Sequence, residues 1–258
     1  MAQKTHIETE FGPEAEVFYT NVLEVVAKSK IPFLIGGTYA LHHYADIERP
    51  AKDLDLFCRP GDYTKILKLF AEKKYEVEIL DERWIANIHN DNLNVDIIFG
   101  APKGIWPITD DTLTRAHRRK VLGFMVKITP PEELMISKVF RFDRNGFDGA
   151  DVAHIILKKG ATIDWKLLAK MMDHYWEVLL IHILIFRFVY PSERDIIPQW
   201  LLDELLSRVN HQIELPNQQK KLSRGAMLAA NDFRVDIDKW GFSDITDYRK
   251  ESILDTEI

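Results

Sequence analysis

Two aspartates separated by one residue lie inside an apolar run, in the segment Lys52-Asp53-Leu54-Asp55-Leu56-Phe57. In an extended strand, the side chains of residues i and i+2 leave the same face about 7 Å apart, so Asp53 and Asp55 are expected to face one site. The leucines between and after them would then point toward a core. Carboxylates arranged in this way suit a divalent cation, because hard cations prefer oxygen ligands.

A third aspartate, Asp96, lies inside a later apolar run, 94–99. If this run forms a strand beside the first one, about 4.8 Å away, three carboxylates meet at one end of a sheet. Such a set favours Mg²⁺ or Mn²⁺, and two ions could bridge a triphosphate and activate an attacking hydroxyl. The alternative is that all three acids are strand-end side chains in contact with water.

The pair Gly36-Gly37 follows a short apolar stretch and precedes a predicted helix that begins at Thr38. A helix amino terminus offers N–H groups without intrahelical partners, and glycine lets a phosphate approach the backbone closely. The pattern therefore indicates a phosphate-binding turn, with a simple chain reversal as the alternative. Arg49 and Lys52 could add positive charge near Asp53, or they could belong to a solvated loop.

The order of predicted elements indicates an α+β domain over residues 1–129 and a mainly helical domain over 130–258, with Pro130-Pro131 at the boundary. Strands are predicted at 31–35, 54–58, 75–80, 83–89, 93–99 and 121–128. Helices are predicted at 14–30, 38–44, 62–73, 132–141, 149–158, 164–172, 177–189 and 198–209. The polar segment 210–225 is predicted to be a loop.

The glycine turn, the Asp-x-Asp pair and the later Asp96 together resemble the nucleotidyltransferase superfamily, which includes DNA polymerase beta and the minimal and aminoglycoside nucleotidyltransferases. The resemblance covers residues 31–99 by motif and continues more weakly through 131–157. The commonest superfamily pattern has serine at the second turn position, whereas this chain has Gly37. The Gly-Gly-Thr-x-Ala-Leu form, residues 36–41, is similar to the branch related to the AbiEii abortive-infection toxins.

This resemblance implies a mixed β-sheet of the nucleotidyltransferase type, flanked by helices and followed by a helical C-terminal domain. It implies that Asp53 and Asp55 bind two Mg²⁺ or Mn²⁺ ions. It also implies that Asp96 binds one ion and serves as, or lies beside, the base that accepts the acceptor-hydroxyl proton. The residues that would contact the triphosphate are Gly36, Gly37, Thr38, Lys52 and Lys138.

Lys138 lies on a predicted helix with apolar neighbours, where a lysine needs an anionic partner. The resemblance makes that partner a phosphate. Arg141, Arg144, Asp148 and Asp151 follow at spacings like those of the abortive-infection branch. Two interpretations stay open for these four residues: an ion-pair network between helices, or contacts with nucleotide or acceptor.

Composition excludes several other classes of protein. The formal net charge is −6, which does not give the basic field of a dedicated nucleic-acid binder, although a local basic patch remains compatible with it. The single cysteine, Cys58, and the absence of a cysteine pair argue against a zinc site and favour a reducing, cytoplasmic setting. The apolar run 178–186 is too short for a membrane span and is predicted to be a buried helix.

The sequence therefore predicts a metal-dependent enzyme that moves a nucleoside monophosphate from a nucleoside triphosphate to an acceptor hydroxyl and releases pyrophosphate. The acceptor could be RNA, a protein or a small molecule, and the AbiEii-like resemblance allows a toxin with an antitoxin partner. Two alternatives stay open. One is a catalytically silent nucleotide-binding or interaction protein that retains the fold, and the other is an unrelated metal-dependent phosphohydrolase.

Overall fold

The computed structural model describes residues 12–47, 49–144 and 146–244. The strands are β1 (Leu34–Ile35), β2 (Leu54–Phe57), β3 (Glu76–Asp81), β4 (Ile85–Asn90), β5 (Leu93–Ile98), β6 (His117–Val121), β7 (Phe124–Ile128), β8 (Phe142–Asp143), β9 (Gly146–Phe147), β10 (Leu222–Ser223) and β11 (Ser243–Asp244). The α-helices are α1 (Pro13–Ser29), α2 (Gly37–Ala45), α3 (Tyr63–Glu72), α4 (Asp110–Arg115), α5 (Pro131–Val139), α6 (Gly149–Lys159), α7 (Trp165–Met171), α8 (Trp176–Val189), α9 (Gln199–Glu214), α10 (Ala226–Ala229) and α11 (Arg234–Asp238).

The chain divides into two compact units. Unit 1 contains the described residues up to Ser137 together with His154–Asp164. Unit 2 contains Lys138–Ala153 and the described residues from Trp165 onward. The predicted division between residues 129 and 130 stays a prediction.

Unit 1 is built on a mixed sheet. Within the described residues, seven strands pair in the order β3-β4-β5-β2-β1-β7-β6. The central strands β2 and β5 run parallel, and so do β1 and β7, whereas β1 and β2 run antiparallel. The observed mixed sheet with flanking helices confirms the predicted α+β class, and the C-terminal helices are present as predicted.

The central strands direct apolar side chains to one face of the sheet, where they form part of the core, and direct Asp55 and Asp96 to the other face. Leu54 and Leu56 of β2 and Val95 and Ile97 of β5 are fully buried. Helix α1 adds an apolar stripe at helical spacing; its fully buried members are Ala15, Tyr19, Val22, Leu23 and Val26. This core fixes β2, which carries Asp55 and directly follows Asp53, and β5, which carries Asp96.

The prediction of one strand over 121–128 is wrong, because strand structure begins earlier, at His117, and is interrupted by a turn. The structure has two antiparallel strands, β6 and β7, joined at Leu122-Gly123. Leu122 (φ 46°) and Gly123 (φ 86°) both have positive φ, which a two-residue hairpin turn requires. Leucine rarely adopts this conformation, so the residue type hides the turn.

Two other expectations differ from the structure. Helix α9 extends to Glu214, so the predicted loop over 210–225 begins later than expected. The short helix α4 was not predicted. It begins with a capping box in which Thr109 and Thr112 each accept a hydrogen bond from the backbone N–H of the other.

Unit 2 is mainly helical. Its most apolar helix, α8, buries His182, whose Nε2 lies 2.9 Å from the carbonyl oxygen of Val139. Burial lowers the pKa of His182, so the ring is neutral. None of the helices in the described ranges combines the length and the apolar composition that crossing a membrane requires.

A matched pair of leucines tests how much the sheet core contributes. Leu56→Ala is expected to lower the free energy of unfolding by about 2–5 kcal/mol, because Leu56 is fully buried in a central strand. Leu80→Ala, in β3, should cost less than about 1 kcal/mol because Leu80 is 50% exposed. Equilibrium urea unfolding measures both, and equal losses would contradict the described core.

Candidate active site

Strand pairing brings two of the predicted acids side by side. In the parallel ladder between β2 and β5, Asp55 is the direct partner of Asp96. Asp53 precedes β2 by one residue and lies two residues before Asp55. All three side chains are partly buried. The fold therefore gathers the three carboxylates at one place in unit 1, as the sequence predicts.

The surroundings of Asp96 change its pKa. Burial and the negative charge of Asp53 raise the pKa of Asp96 to about 6, although a hydrogen bond from Asn94 lowers it in part. Asn94 Nδ2 donates to Asp96 Oδ1 at 2.8 Å. Asn87, on the neighbouring strand β4, also donates its amide to Asp96 Oδ1 at 3.2 Å when its side-chain nitrogen faces that oxygen. Two amides thus hold the Asp96 carboxylate in place.

Tyr19 of α1 lies at the base of the acidic group. Its hydroxyl donates to the carbonyl oxygen of Lys52 at 3.1 Å, directly before Asp53. Burial and the charges of Asp53, Asp96 and Asp55 raise the pKa of Tyr19 to about 12, so the hydroxyl stays protonated. Tyr19 is therefore a neutral donor that anchors the backbone leading into β2.

The glycine turn lies against the same acids. The N–H of Gly36 donates to the carbonyl oxygen of Asp55 at 3.0 Å. Gly37 has a φ of 51°, and a Cβ built on it would lie 1.6 Å from Asp55 Oδ2. A Cβ on Gly36 would lie 2.1 Å from the ring of Phe57. Both positions therefore require glycine, and Gly37 brings the start of α2 into contact with a carboxylate.

The other predicted phosphate contacts of unit 1 lie close to this turn along the chain. Thr38 is the second residue of α2, where backbone N–H groups lack intrahelical partners, and its side chain is partly exposed. Lys52 is exposed and adjoins Asp53, and Arg49 is also exposed. These positions are compatible with contacts to an anionic ligand.

Lys138 belongs to unit 2, where it is buried in an ion pair. Its Nζ lies 2.8 Å from Asp151 Oδ2 and 3.3 Å from Asp148 Oδ2. The side chain of Lys138 is 9% exposed and that of Asp151 is 5% exposed. The anionic partner that the sequence requires for Lys138 is present in the protein itself.

The two arginines that follow also pair with acids of unit 2. Arg141 Nη1 lies 3.8 Å from Asp148 Oδ1, and Arg144 Nε lies 2.9 Å from Asp232 Oδ1. Of the two interpretations left open for Arg141, Arg144, Asp148 and Asp151, these contacts favour the ion-pair network.

The chemistry of the acidic group fits a divalent cation. Three carboxylates converge beside a backbone turn, and burial together with the charge of Asp53 raises the pKa of Asp96. As positioned, however, no three Asp, Glu, His or Cys side chains in the described ranges surround a common point closely enough to hold a metal ion. The donor types fit Mg²⁺ or Mn²⁺, and their arrangement around an ion is not preformed.

Sequence reasoning missed Tyr19, Asn87 and Asn94 as contributors to this site. Asn94 could have been found, since it lies two residues before Asp96 and shares its strand face. Asn87 could also have been found, since a two-residue hairpin at Asp91-Asn92 pairs it with Asp96. Tyr19 carries no local signal, because only packing of α1 brings it to the acids.

The role of Lys138 can be tested through stability. Lys138→Met is expected to lower the free energy of unfolding by about 3–5 kcal/mol, because it leaves Asp151 and Asp148 without this buried cation. Adding Asp151→Asn should recover part of the loss. A double variant whose loss equals the sum of the two single losses, measured by urea unfolding, would contradict a structural ion pair.

Two glycine-to-alanine variants separate the cost of the close contact between Gly37 and Asp55 from the cost of the positive φ at Gly37. Gly123 also has positive φ, but a Cβ there would meet no atom within 4 Å. Gly123→Ala should therefore cost only about 1–2 kcal/mol of unfolding free energy, from the left-handed backbone alone. Gly37→Ala should cost about 1–3 kcal/mol more, because the Asp55 carboxylate must move. Equal losses in thermal or urea unfolding would show that the contact costs nothing.

Comparison with solved structures finds nucleotidyltransferases. The lincomycin-bound lincosamide antibiotic adenylyltransferase LnuA is 14% identical, and the match covers 58% of this chain and 98% of that one with a TM-score of 0.41. ANT(2")-Ia in complex with adenylyl-2"-tobramycin is 14% identical over 76% of this chain and 99% of that one, with a TM-score of 0.39. An antigenic nucleotidyltransferase-like protein from Paracoccidioides brasiliensis is 13% identical over 69% and 94%, with a TM-score of 0.35.

No curated protein matches the sequence. Residues 16–181 match the sequence profile of a family described as "Nucleotidyl transferase of unknown function (DUF2204)". The match spans more than half of the chain and contains the glycine turn, the three aspartates and their supporting strands. The chain therefore belongs to this family of nucleotidyl transferases.

Proposed function

We propose that the protein transfers a nucleoside monophosphate from a nucleoside triphosphate to an acceptor hydroxyl and releases pyrophosphate. One observation carries the proposal: the β2–β5 register pairs Asp55 with Asp96 while Gly37 lies directly against Asp55. A turn that admits a phosphate and a group of carboxylates thus occupy one place. Membership of a nucleotidyl transferase family supports the same chemistry.

We assign binding of the triphosphate to the glycine turn, Gly36-Gly37. The first N–H groups of α2, at Gly37 and Thr38, would bind phosphate oxygens. Gly36 and Gly37 let the turn pack against the Phe57 ring and the Asp55 carboxylate, which brings these N–H groups to the acids. Lys52 supplies a mobile positive charge next to Asp53. The phosphate contact of Lys138 stays a prediction from the sequence, and within unit 2 this lysine pairs with Asp151.

We assign deprotonation of the acceptor hydroxyl to Asp96. Its carboxylate, positioned by Asn94 and Asn87, accepts the proton that the acceptor hydroxyl loses as it attacks the phosphorus. Asp53, Asp55 and Asp96 would hold two Mg²⁺ or Mn²⁺ ions, which supply Lewis-acid polarisation of the phosphate and neutralise developing charge. The protein's own part is to fix these oxygens on two paired strands.

A biological setting is also proposed. The Gly-Gly-Thr form at residues 36–38 supports a place near the AbiEii-like branch, and with it a toxin role, an antitoxin partner and a cytoplasmic location. Growth arrest on induced expression, relieved by a neighbouring gene product, would support this role. Unchanged growth with active enzyme would contradict it.

Removing one carboxylate tests the reaction. Asp55→Asn is expected to lower kcat/KM for nucleotide transfer by at least about 100-fold, because an amide cannot replace the negative charge that the site requires. The control is Asp91→Asn in the exposed β4–β5 turn, where φ is 53° and asparagine is also tolerated. Pyrophosphate release in Mg²⁺ measures both, and circular dichroism verifies folding. Full activity of an Asp53→Asn, Asp55→Asn double variant would exclude the assignment.

The two alternatives give different readouts. Calorimetric binding of nucleoside triphosphate with no pyrophosphate release would favour a silent nucleotide-binding protein. Release of phosphate to water with no labelled acceptor would favour a phosphohydrolase. Labelled nucleotide that appears on an added acceptor, together with stoichiometric pyrophosphate, supports the transferase.

A further inference from the structure

The edge strand β6 carries an unbroken run of four basic or titratable side chains, His117-Arg118-Arg119-Lys120. All four are exposed. In a chain whose net charge is −6, such a run concentrates positive charge on one edge of the unit 1 sheet. We call these four residues the basic edge.

Pairing register connects the basic edge with the candidate active site. His117 pairs with Ile128 of β7, Ile128 pairs with Ile35 of β1, and Ile35 pairs with Leu56 of β2. His117 therefore lies in the same cross-strand row as Leu56, one residue from Asp55. Three strand spacings, about 14 Å, separate β6 from β2.

Side chains of the basic edge reach both faces of the sheet, because successive residues in a strand alternate. On one face, Arg119 Nε donates to the ring of His43 in α2, with 2.6 Å to His43 Nε2. On the other face, Arg118 pairs directly across from Lys127 of β7. Helix α2 begins at Gly37, about 9 Å along its axis from His43, so it joins the basic edge to the glycine turn.

Among the described residues, no carboxylate neutralises the charge of the basic edge. In the part of the chain that the structure describes, none of the four residues of the basic edge forms an ion pair with a carboxylate. The acids of the nearby helix α4 are engaged elsewhere, Asp110 with Arg59 at 2.7 Å and Asp111 with Arg115 at 2.8 Å. The basic edge is therefore available to an external anion.

The pKa of His43 is lowered in part by the basic groups around it. Burial first, and then Arg119, Lys159, His42 and His117, lower its pKa to about 4. Every charged group that acts on the ring is basic. The neutral ring can therefore accept the Arg119 hydrogen bond and hold the guanidinium in place.

Protection of an exposed sheet edge is the competing explanation, since lysines and arginines on edge strands prevent pairing with other chains. That function does not require charge on four successive residues, which reach both faces of the sheet. Lys127, directly opposite Arg118 on β7, is engaged within the protein, since its Nζ donates to the carbonyl oxygen of Leu113 at 2.5 Å.

We propose that the basic edge docks the phosphate backbone of an RNA strand whose hydroxyl is the acceptor for nucleotide transfer. The inference rests on the proposed function and names its acceptor class. A row of cations along a strand matches a repeating polyanion better than a single small anion. RNA also brings a hydroxyl on each ribose, which DNA lacks within the strand.

Binding without catalysis tests the docking surface. The probe is a short fluorescein-labelled single-stranded RNA of mixed sequence, measured by fluorescence anisotropy on the full chain without nucleotide, between about 50 and 200 mM salt. Arg118→Glu combined with Lys120→Glu is expected to weaken RNA binding at least about tenfold. The slope of log K against log salt should become smaller by about 1.4, because each lost phosphate contact on a single strand contributes about 0.7.

The control pair is Lys68→Glu with Lys73→Glu. It changes the net charge equally at exposed residues in and directly after α3. Equal weakening by both pairs, or no RNA binding by the parent, would overturn the proposal. Tighter binding to single-stranded DNA of the same sequence, or preferential binding to phosphatidylserine vesicles, would overturn it in favour of another polyanion. Size-exclusion chromatography shows whether the charge-reversed pair remains monodisperse, and its aggregation would favour edge protection instead.

The Asp55→Asn variant separates this proposal from the proposed function. It should bind RNA as the parent does, because Asp55 lies outside the basic edge. RNA binding without transfer activity in the parent would leave the surface supported and the transferase function contradicted. Transfer to a non-RNA acceptor, with no RNA binding, would support the transferase function and contradict the RNA-docking surface.

Discussion

The candidate site depends on one constraint, the close packing of like charges between β2 and β5. Direct register pairs Asp55 with Asp96 and places Asp53 near both, so the fold gathers negative charge that water would otherwise separate. The fully buried leucines that flank Asp55 hold β2 in this register, since a shift by one residue would expose them. Core packing thus provides the free energy that keeps the carboxylates together.

The surrounding groups reduce the cost of that repulsion without removing it. Asn94 and Asn87 donate to Asp96, and Tyr19 fixes the backbone before Asp53 as a neutral donor. None of these three groups carries a positive charge. Neutral donors orient the oxygens while preserving their charge for a cation, whereas a lysine or arginine at the same positions would neutralise it.

Local patterns in the sequence predicted what local physics determines. The i, i+2 spacing of Asp53 and Asp55, the apolar flanks of Asp96 and the glycine turn all gave correct elements, because strand alternation and the backbone freedom of glycine act over a few residues. The hairpin at Leu122-Gly123 was missed because tertiary structure imposes positive φ on a leucine. Strand β6 was missed because four charged or titratable residues oppose the usual strand composition. Tyr19 depends on long-range packing, for which one sequence offers no signal.

The chain enters unit 1 twice. Residues 154–164 return to it after the first segment of unit 2 has been made, and the backbone N–H of Asp164 donates to Glu132 Oε1 at 2.8 Å. During synthesis from the amino terminus, unit 1 therefore cannot be completed until residue 164 has left the ribosome. The glycine turn and the three aspartates are all translated long before that point. Their final arrangement must wait for a segment that contributes nothing to the chemistry, so folding of the two units is interleaved in time.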